Sequence, residues 1–331
     1  MAHRLATRER RTRTFEGGCS AEVTALAALL AIVLLGFAAG CARVGPVREV
    51  PPYETLLMIL ADFRRCADTD LYHYEIPKDI SGQNIFRATL ERLAYFEQAN
   101  PGKDGDAVNF ARGEAYFRLG DFARAGEAFS RVAAVSNSPL AEKAKERAET
   151  TARFRAATQR APATDQLGPY LRDLELQQKR LEDLEKEFAG RTEETLARRE
   201  RERVETEYAL ALFRNRYVLD KGAARALDFL RGMIERHAQS RRLHAHRLML
   251  GRFYFELAQD LVTLAPPDRL GFDMDLFYDL VNNAEEQFVV VSRADGYPEK
   301  LEAAGLLREL EAFTRRVRAL ADNPLPKETG K

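Results

Sequence analysis

The sequence predicts an all-α fold. Apolar residues recur at helical spacing through most of the 331 residues, from about residue 53 onward. Long stretches are rich in Ala, Leu, Glu and Arg, which are strong helix formers. No segment has the alternating β-branched residues between turns that predict a strand. A chain of this length can bury one large core or two ordinary ones.

The composition restricts the classes of function. Lys plus Arg and Asp plus Glu both number 51, so no net charge favours nucleic acid or an anionic surface. The three cysteines lack the paired spacing of a zinc site or a disulfide framework. His244 and His246 are two positions apart, so on a helix they point in opposite directions and cannot share a metal. No HExxH, GxSxG, phosphate-loop or dinucleotide motif is present. We therefore expect no enzyme activity, no metal and no cofactor.

Residues 1–40 have the features of an export signal or a membrane anchor. Five arginines precede an almost wholly apolar segment at 23–40. The end of this segment, Phe37-Ala38-Ala39-Gly40-Cys41, resembles a bacterial lipobox, which implies cleavage before Cys41 and lipidation of its thiol. The alternative is an uncleaved membrane-spanning helix, since 18 residues are near the lower limit for crossing a bilayer. Both alternatives place the residues after 45 outside the cytoplasm, because the basic flank stays inside.

The next segments predict a tether and then helices. Residues 41–52 contain three prolines and no periodicity, which is typical of a tether. Amphipathic helices are predicted at Tyr53–Ala67 and Ile85–Ala99, and the second ends at Asn100-Pro101-Gly102. We place an N-terminal helical region at residues 53–160.

Residues 107–133 contain the most informative pattern. Gly113 and Tyr116 lie on one predicted helix, Gly120 lies in the turn after it, and Ala125 and Phe129 lie on the next helix. The pattern resembles a tetratricopeptide repeat (TPR), in which small residues sit where two antiparallel helices touch and large residues fill the space beside them. The resemblance implies that Gly113 and Ala125 allow the helices to approach closely.

Two further segments carry the same pattern. A second copy, 138 positions along the chain, is interrupted by a longer insertion at 264–275. Its matching residues are Gly251, Tyr254, Ala284 and Phe288. A third, weaker match from Leu210 to Met233 uses Tyr217, Ala226 and Leu230. We place a C-terminal TPR-like region at 206–320 and a frayed tail at 321–331.

Residues 161–205 differ from both regions. Leu167, Leu174, Leu181 and Phe188 recur every seven residues among charged residues, which predicts a coiled-coil-like segment. Gly190 interrupts it, so it forms two antiparallel helices or one bent helix. It serves as an intramolecular hairpin or as a coil for dimerisation or partner docking. The charged run at 197–207 is predicted to be a solvated helix face.

The lipobox and the repeats together resemble TPR lipoproteins of the bacterial outer membrane, of the type that serves in β-barrel assembly. The resemblance implies a helical-hairpin solenoid that faces the periplasm and binds other envelope proteins. The first helix of each hairpin would line a partner-binding groove. The groove positions are Phe110, Glu114, Phe117, Arg118, Tyr208, Asn215, Arg252 and Phe255. Alternatively, the aromatic residues pack against neighbouring helices, or the whole protein is a spacer that oligomerises through its coiled-coil segment.

Overall fold

The computed structural model describes residues 54–68, 85–160, 166–269 and 271–322. Within these ranges the chain forms eleven α-helices and no strand, which confirms the all-α prediction. The predicted signal or anchor, Cys41, the tether and the residues after 322 lie outside the described ranges. None of the helices described is long and apolar enough to cross a membrane.

The helices follow one another with short connections. In chain order they are α1 (Leu56–Asp68), α2 (Ile85–Ala99), α3 (Gly105–Arg118), α4 (Phe122–Ala133), α5 (Ala141–Thr158), α6 (Leu167–Glu187), α7 (Thr192–Arg214), α8 (Gly222–Arg236), α9 (Leu243–Leu264), α10 (Met274–Ser292) and α11 (Glu299–Asp322). Helix α2 has the predicted bounds, and α1 begins three residues later than predicted.

Each helix packs against the next one along the chain, and α9 also packs against α11. This nearest-neighbour packing is typical of stacked helical hairpins, in which each hairpin buries its apolar face on its neighbours. Most buried apolar side chains form one cluster that runs from Phe117 in α3 to Val317 in α11. Two smaller clusters join α1 and α2 to α3.

Helices α6 and α7 form the hairpin that was one of the alternatives for the coiled-coil-like segment. Gly190 lies in the turn between them with φ of 78°, a left-handed conformation that glycine adopts without strain. Leu174 and Leu181 are 1% and 0% exposed, so they are not available as a seam for another chain. The predicted boundary at residue 205 lies inside α7, and Val204 and Tyr208 on either side of it belong to the same core cluster.

Candidate functional site

Gly113 in α3 and Gly251 in α9 have the same surroundings in two hairpins. A Cβ added to Gly113 would lie 2.6 Å from Cε1 of Phe129, and one added to Gly251 would lie 2.6 Å from Cε1 of Phe288. Both rings are fully buried. Each phenylalanine therefore packs directly on the backbone of the preceding helix, at positions where any side chain would clash.

The other residues of these two patterns are also placed by the hairpins. Ala125 and Ala284 are fully buried, and Gly120 has φ of 78° in the turn between α3 and α4. The ring of Tyr116 faces the guanidinium of Arg124 at 5.7 Å. Buried Tyr254 accepts a hydrogen bond at its hydroxyl from Arg231. The insertion between the second pair of helices does not prevent α9 and α10 from packing together.

The third match is wrong at Tyr217. Its side chain is 65% exposed in the loop after α7, whereas Ala226 and Leu230 are fully buried in α8. Ala209 and Leu212, inside α7, are buried instead. The loop between α7 and α8 is longer than the turn between α3 and α4, so the spacing of Tyr116 to Ala125, which Tyr217 and Ala226 repeat, puts Tyr217 beyond the end of α7.

Three of the predicted groove residues are core residues, so their assignment to an open groove is wrong. Phe117 is 1% exposed and packs edge-on against Phe122 and Phe154. Phe255 is 4% exposed and packs against Phe313 of α11. The third, Tyr208, is also buried. The aromatic residues at these three positions pack against aromatic rings of neighbouring helices.

The buried Tyr208 carries a polar contact that explains why it is not phenylalanine. Its hydroxyl donates a hydrogen bond to Oε1 of Glu175 at 2.6 Å. Burial, together with this carboxylate, raises the pKa of Tyr208 to about 12. The side chain therefore remains a neutral donor inside the core throughout the ordinary pH range.

The remaining predicted groove residues do not converge on one surface. Phe110 is partly buried against Phe129. Arg118 is 8% exposed. Asn215 ends α7 and donates a hydrogen bond to the carbonyl of Ala211 at 2.8 Å. Arg252 pairs with Glu302 of α11, and both side chains are about half exposed.

Glu114 is part of a charged network that joins three helices which are not consecutive. Arg147 of α5 donates to Glu114 of α3 at 2.5 and 2.9 Å and to Glu193 of α7 at 2.6 Å. The three side chains are only 12–17% exposed. The same guanidinium lies 4.5 Å from the ring centroid of Phe117, so it combines ion pairing with cation–π contact.

The ionisation of Glu193 is set by this network. Burial alone would raise the pKa of Glu193, but a backbone amide and Arg147 more than offset it, so the pKa is lowered. The position of Glu193 in the first turn of α7 also favours a negative charge there. The carboxylate is therefore held in the charged form that Arg147 needs.

Helix α7 covers the end of α3. A Cβ added to Gly120 would lie 3.1 Å from Oε1 of Glu200 and 3.5 Å from Nη2 of Arg199. Leu196 and Ala197 are 1% and 0% exposed and belong to the same core cluster as Phe117. Helix α7 thus lies beside the C-terminal end of α3, next to the predicted groove position Arg118.

The prediction of a solvated face at 197–207 is also wrong. Glu200, Glu202 and Glu205 are 8%, 2% and 4% exposed. The signal for burial was the apolar spacing of Leu196, Ala197 and Val204, which the surrounding charges obscured. Charged side chains of α7 have partners on α5, α6 and α9.

Two histidines satisfy the buried carboxylates of α7. Nε2 of His246 lies 2.5 Å from Oε1 of Glu202, which also accepts a hydrogen bond from Ser240 at 2.6 Å. Nε2 of His237 lies 2.7 Å from Oε2 of Glu205. Burial would raise the pKa values of both glutamates, but the histidine contacts lower them. Both carboxylates are therefore charged and hydrogen-bonded inside the core.

This network has the residue types of a hydrolase triad but not its geometry. Ser240 and His246 both contact the same carboxylate oxygen, so the described contacts give the hydroxyl no imidazole as a base. Both histidines are at most 3% exposed, which leaves a substrate no access. No group of metal-ligating side chains occurs in the part of the chain that the structure describes. The network joins α7 to α9 and to the residue that follows α8.

The described surface contains several open grooves. One groove, of about 780 Å³, lies between α5 and α6 and is lined by Arg153, Arg160 and Arg180 together with alanine and leucine side chains. Arg153 and Arg160 are already paired with Glu187 and Glu207. No protein-family model and no curated protein matches this chain.

Proposed function

We propose that this chain is a membrane-anchored, TPR-like lipoprotein that acts as an adaptor or scaffold for protein partners in the bacterial envelope, at the periplasmic face of the outer membrane. The observation that carries the proposal is the repeated contact of Gly113 with Phe129 and of Gly251 with Phe288. The same small-against-aromatic packing recurs in two hairpins, and between them each helix packs on its neighbour. Stacked hairpins of this kind provide extended surfaces for protein binding.

The N-terminal sequence supports the membrane part of the proposal. The apolar segment ends in Ala38-Ala39-Gly40-Cys41, the pattern expected before a lipidated cysteine. A single acyl chain binds a membrane only marginally, so a stable anchor requires the several chains of a bacterial lipoprotein. An uncleaved span at 23–40 would instead hold the same body at the inner membrane.

The accessible part of the predicted binding face lies on α9 and α11. Of the predicted positions, Arg252 of α9 is about half exposed, and it pairs with the equally exposed Glu302 of α11. A photo-crosslinking amino acid at position 252, introduced in the native host, should capture an envelope protein. The matched control is position 308 of α11, an exposed arginine whose Nε bonds a carbonyl of its own helix. Equal labelling from both positions would contradict a specific binding face.

Lipidation is tested by the mass of the N-terminal peptide purified from native-host membranes. We expect a peptide that begins at a lipid-modified Cys41. Cys41→Ser should remain unprocessed, whereas the control Cys19→Ser should be processed like the native chain. A native chain that retains residues 1–40 would refute the lipoprotein assignment and direct the search to inner-membrane complexes.

The alternative function, a spacer that oligomerises through its coiled-coil segment, requires a seam that another chain can reach. Leu181 is 0% exposed inside the α6–α7 hairpin. Leu181→Asp should therefore unfold the hairpin, as measured by circular dichroism. A folded variant that only loses an oligomer in light scattering would favour the spacer.

A further inference from the structure

The first turns of α7 occupy the face of α3 and α5 at which a partner helix would bind in the proposed adaptor. Glu193 reaches Arg147, and three positions later Leu196 enters the core cluster that contains Phe117. Positions i and i+3 lie on one face of a helix, so the carboxylate and the leucine are presented together. The pattern is an acidic residue, two intervening residues and a leucine.

We propose that residues 192–200 act as an internal ligand, and that the α3–α5 face binds partner helices which present the same acid-x-x-leucine pattern after displacing them. The proposal rests on the adaptor function, and it adds the chemistry of the partner and a means of autoinhibition. Helix-in-groove recognition uses anchors of this spacing. The internal copy would keep the face closed until a partner helix competes for it.

The contact between residues 192–200 and the α3–α5 face contains few apolar side chains, which favours its displacement by a partner helix. Between residues 192 and 200 only Leu196 and Ala197 are buried apolar side chains, and the remaining contact is charged. A buried ion pair contributes little net stability, because desolvation of both charges offsets their attraction. A partner carboxylate that restores the pair with Arg147 replaces that contact, so the ion pair itself opposes the exchange only weakly.

Most of the contacts that position Arg147 on the acceptor side lie outside α7. Arg147 is held by both carboxylate oxygens of Glu114, at 2.5 and 2.9 Å, and lies over the ring of Phe117. The ring in turn packs against Phe122 and Phe154. The cation therefore remains positioned for a second carboxylate when Glu193 leaves.

The test uses the full-length chain in detergent and a fluorescent peptide with the sequence of residues 188–204. In the variant Glu193→Arg/Leu196→Asp the internal ligand is lost, while all residues on α3 and α5 are unchanged. We expect saturable binding of the peptide to this variant by fluorescence anisotropy and at least about tenfold weaker binding to the native chain, whose face is occupied. A peptide carrying the same two substitutions should not bind either protein.

Hydrogen exchange and a control variant complete the experiment. In Glu193→Arg/Leu196→Asp, the amides of residues 192–203 should exchange about tenfold faster or more, while those of α8 to α10 are unchanged. The control Glu194→Arg changes a carboxylate whose contacts, Arg198 and the amide of Gly190, stay within α7 and its turn. It should exchange and bind like the native chain. If the double variant fails to fold by circular dichroism, Glu193→Gln alone should give the same effects with smaller amplitude.

The outcomes separate this inference from the adaptor function. Peptide that binds neither protein although residues 192–203 have lost protection, or that binds both equally, would overturn the internal-ligand proposal. Unchanged exchange in a folded variant would show that α7 is a permanent part of the core and would overturn it as well. Failure of the adaptor function would be detected in a different experiment, the crosslinking from position 252, as the absence of position-specific crosslinks in the native envelope.

Discussion

Gly113→Ala is the substitution for which the structure makes the sharpest prediction. The new methyl carbon would lie 2.6 Å from Cε1, 2.7 Å from Cδ1 and 2.8 Å from Cζ of Phe129. Ordinary carbon–carbon contacts are about 3.5–4.0 Å, so the ring or the helix must move by nearly an ångström. The ring is 0% exposed and packs edge-on against Phe110. It cannot rotate away without disturbing other buried groups.

The magnitude follows from two opposing effects. Alanine stabilises a helix interior by about 1 kcal/mol relative to glycine. Overpacking a close-packed core costs about 1–3 kcal/mol, and the rigid surroundings of Phe129 place the cost in the upper part of that range. We expect Gly113→Ala to lower the free energy of unfolding by about 1–2 kcal/mol, measured by urea titration with circular dichroism.

Gly126→Ala is the matched control in the next helix. A Cβ at Gly126 meets only Cγ2 of Thr151 at 3.8 Å, an ordinary van der Waals distance. Here only the helix-propensity effect operates, and we expect a gain of about 0.5–1 kcal/mol. Phe129→Leu provides the second control, because its smaller side chain should reduce the cost of Gly113→Ala in a double-mutant cycle. If Gly113→Ala stabilises the protein as much as Gly126→Ala does, the close contact does not explain the glycine.

Three further predictions concern the core. The lowered pKa values of Glu202 and Glu205 add stability that is present above their ordinary value of 4.5 and lost as the pH falls through the folded-state values. Urea titrations should therefore show decreasing stability below about pH 4.5, with a smaller slope for Glu202→Gln. Phe154→Ala should cost about 3–5 kcal/mol, whereas Tyr217→Ala at the exposed loop should change stability by less than about 0.5 kcal/mol in the same titration. In an alkaline titration monitored by tyrosine absorbance, Tyr208 should ionise only near pH 12, and its stabilising effect should disappear as the pH rises from about 10 toward that value.

The sequence predicted where helices begin and end better than it predicted which helix faces are buried. The bounds of α2 could be read from its apolar spacing and from Asn100-Pro101-Gly102, because those signals act within a few residues. Gly113 and Phe129 could be placed together for the same reason, since one short turn separates their helices. The all-α prediction needed no knowledge of how the hairpins stack.

The burial of Phe117 could not be predicted from its repeat position alone. Whether that position is open depends on what lies across it, and Phe154, which packs on the ring, belongs to α5 rather than to the same hairpin. The many charged residues of α7 also made a buried face look exposed in the sequence. Glu202 and Glu205 resemble a solvated face in sequence, and their burial depends on partners more than thirty positions later, among them His237 and His246.

The charged side chains of α7 are best understood as determinants of pairing rather than as sources of stability. An apolar helix of 23 residues can slide or rotate against its neighbours with little change in buried area. Buried carboxylates remove that freedom, because a shift of one residue would leave each charge without a partner at a cost of several kcal/mol. Glu193 fixes α7 against α5, and Glu202 fixes it against α9. The two ends thus depend on different helices, which allows the first turns of α7 to leave α5 while the rest keeps its register.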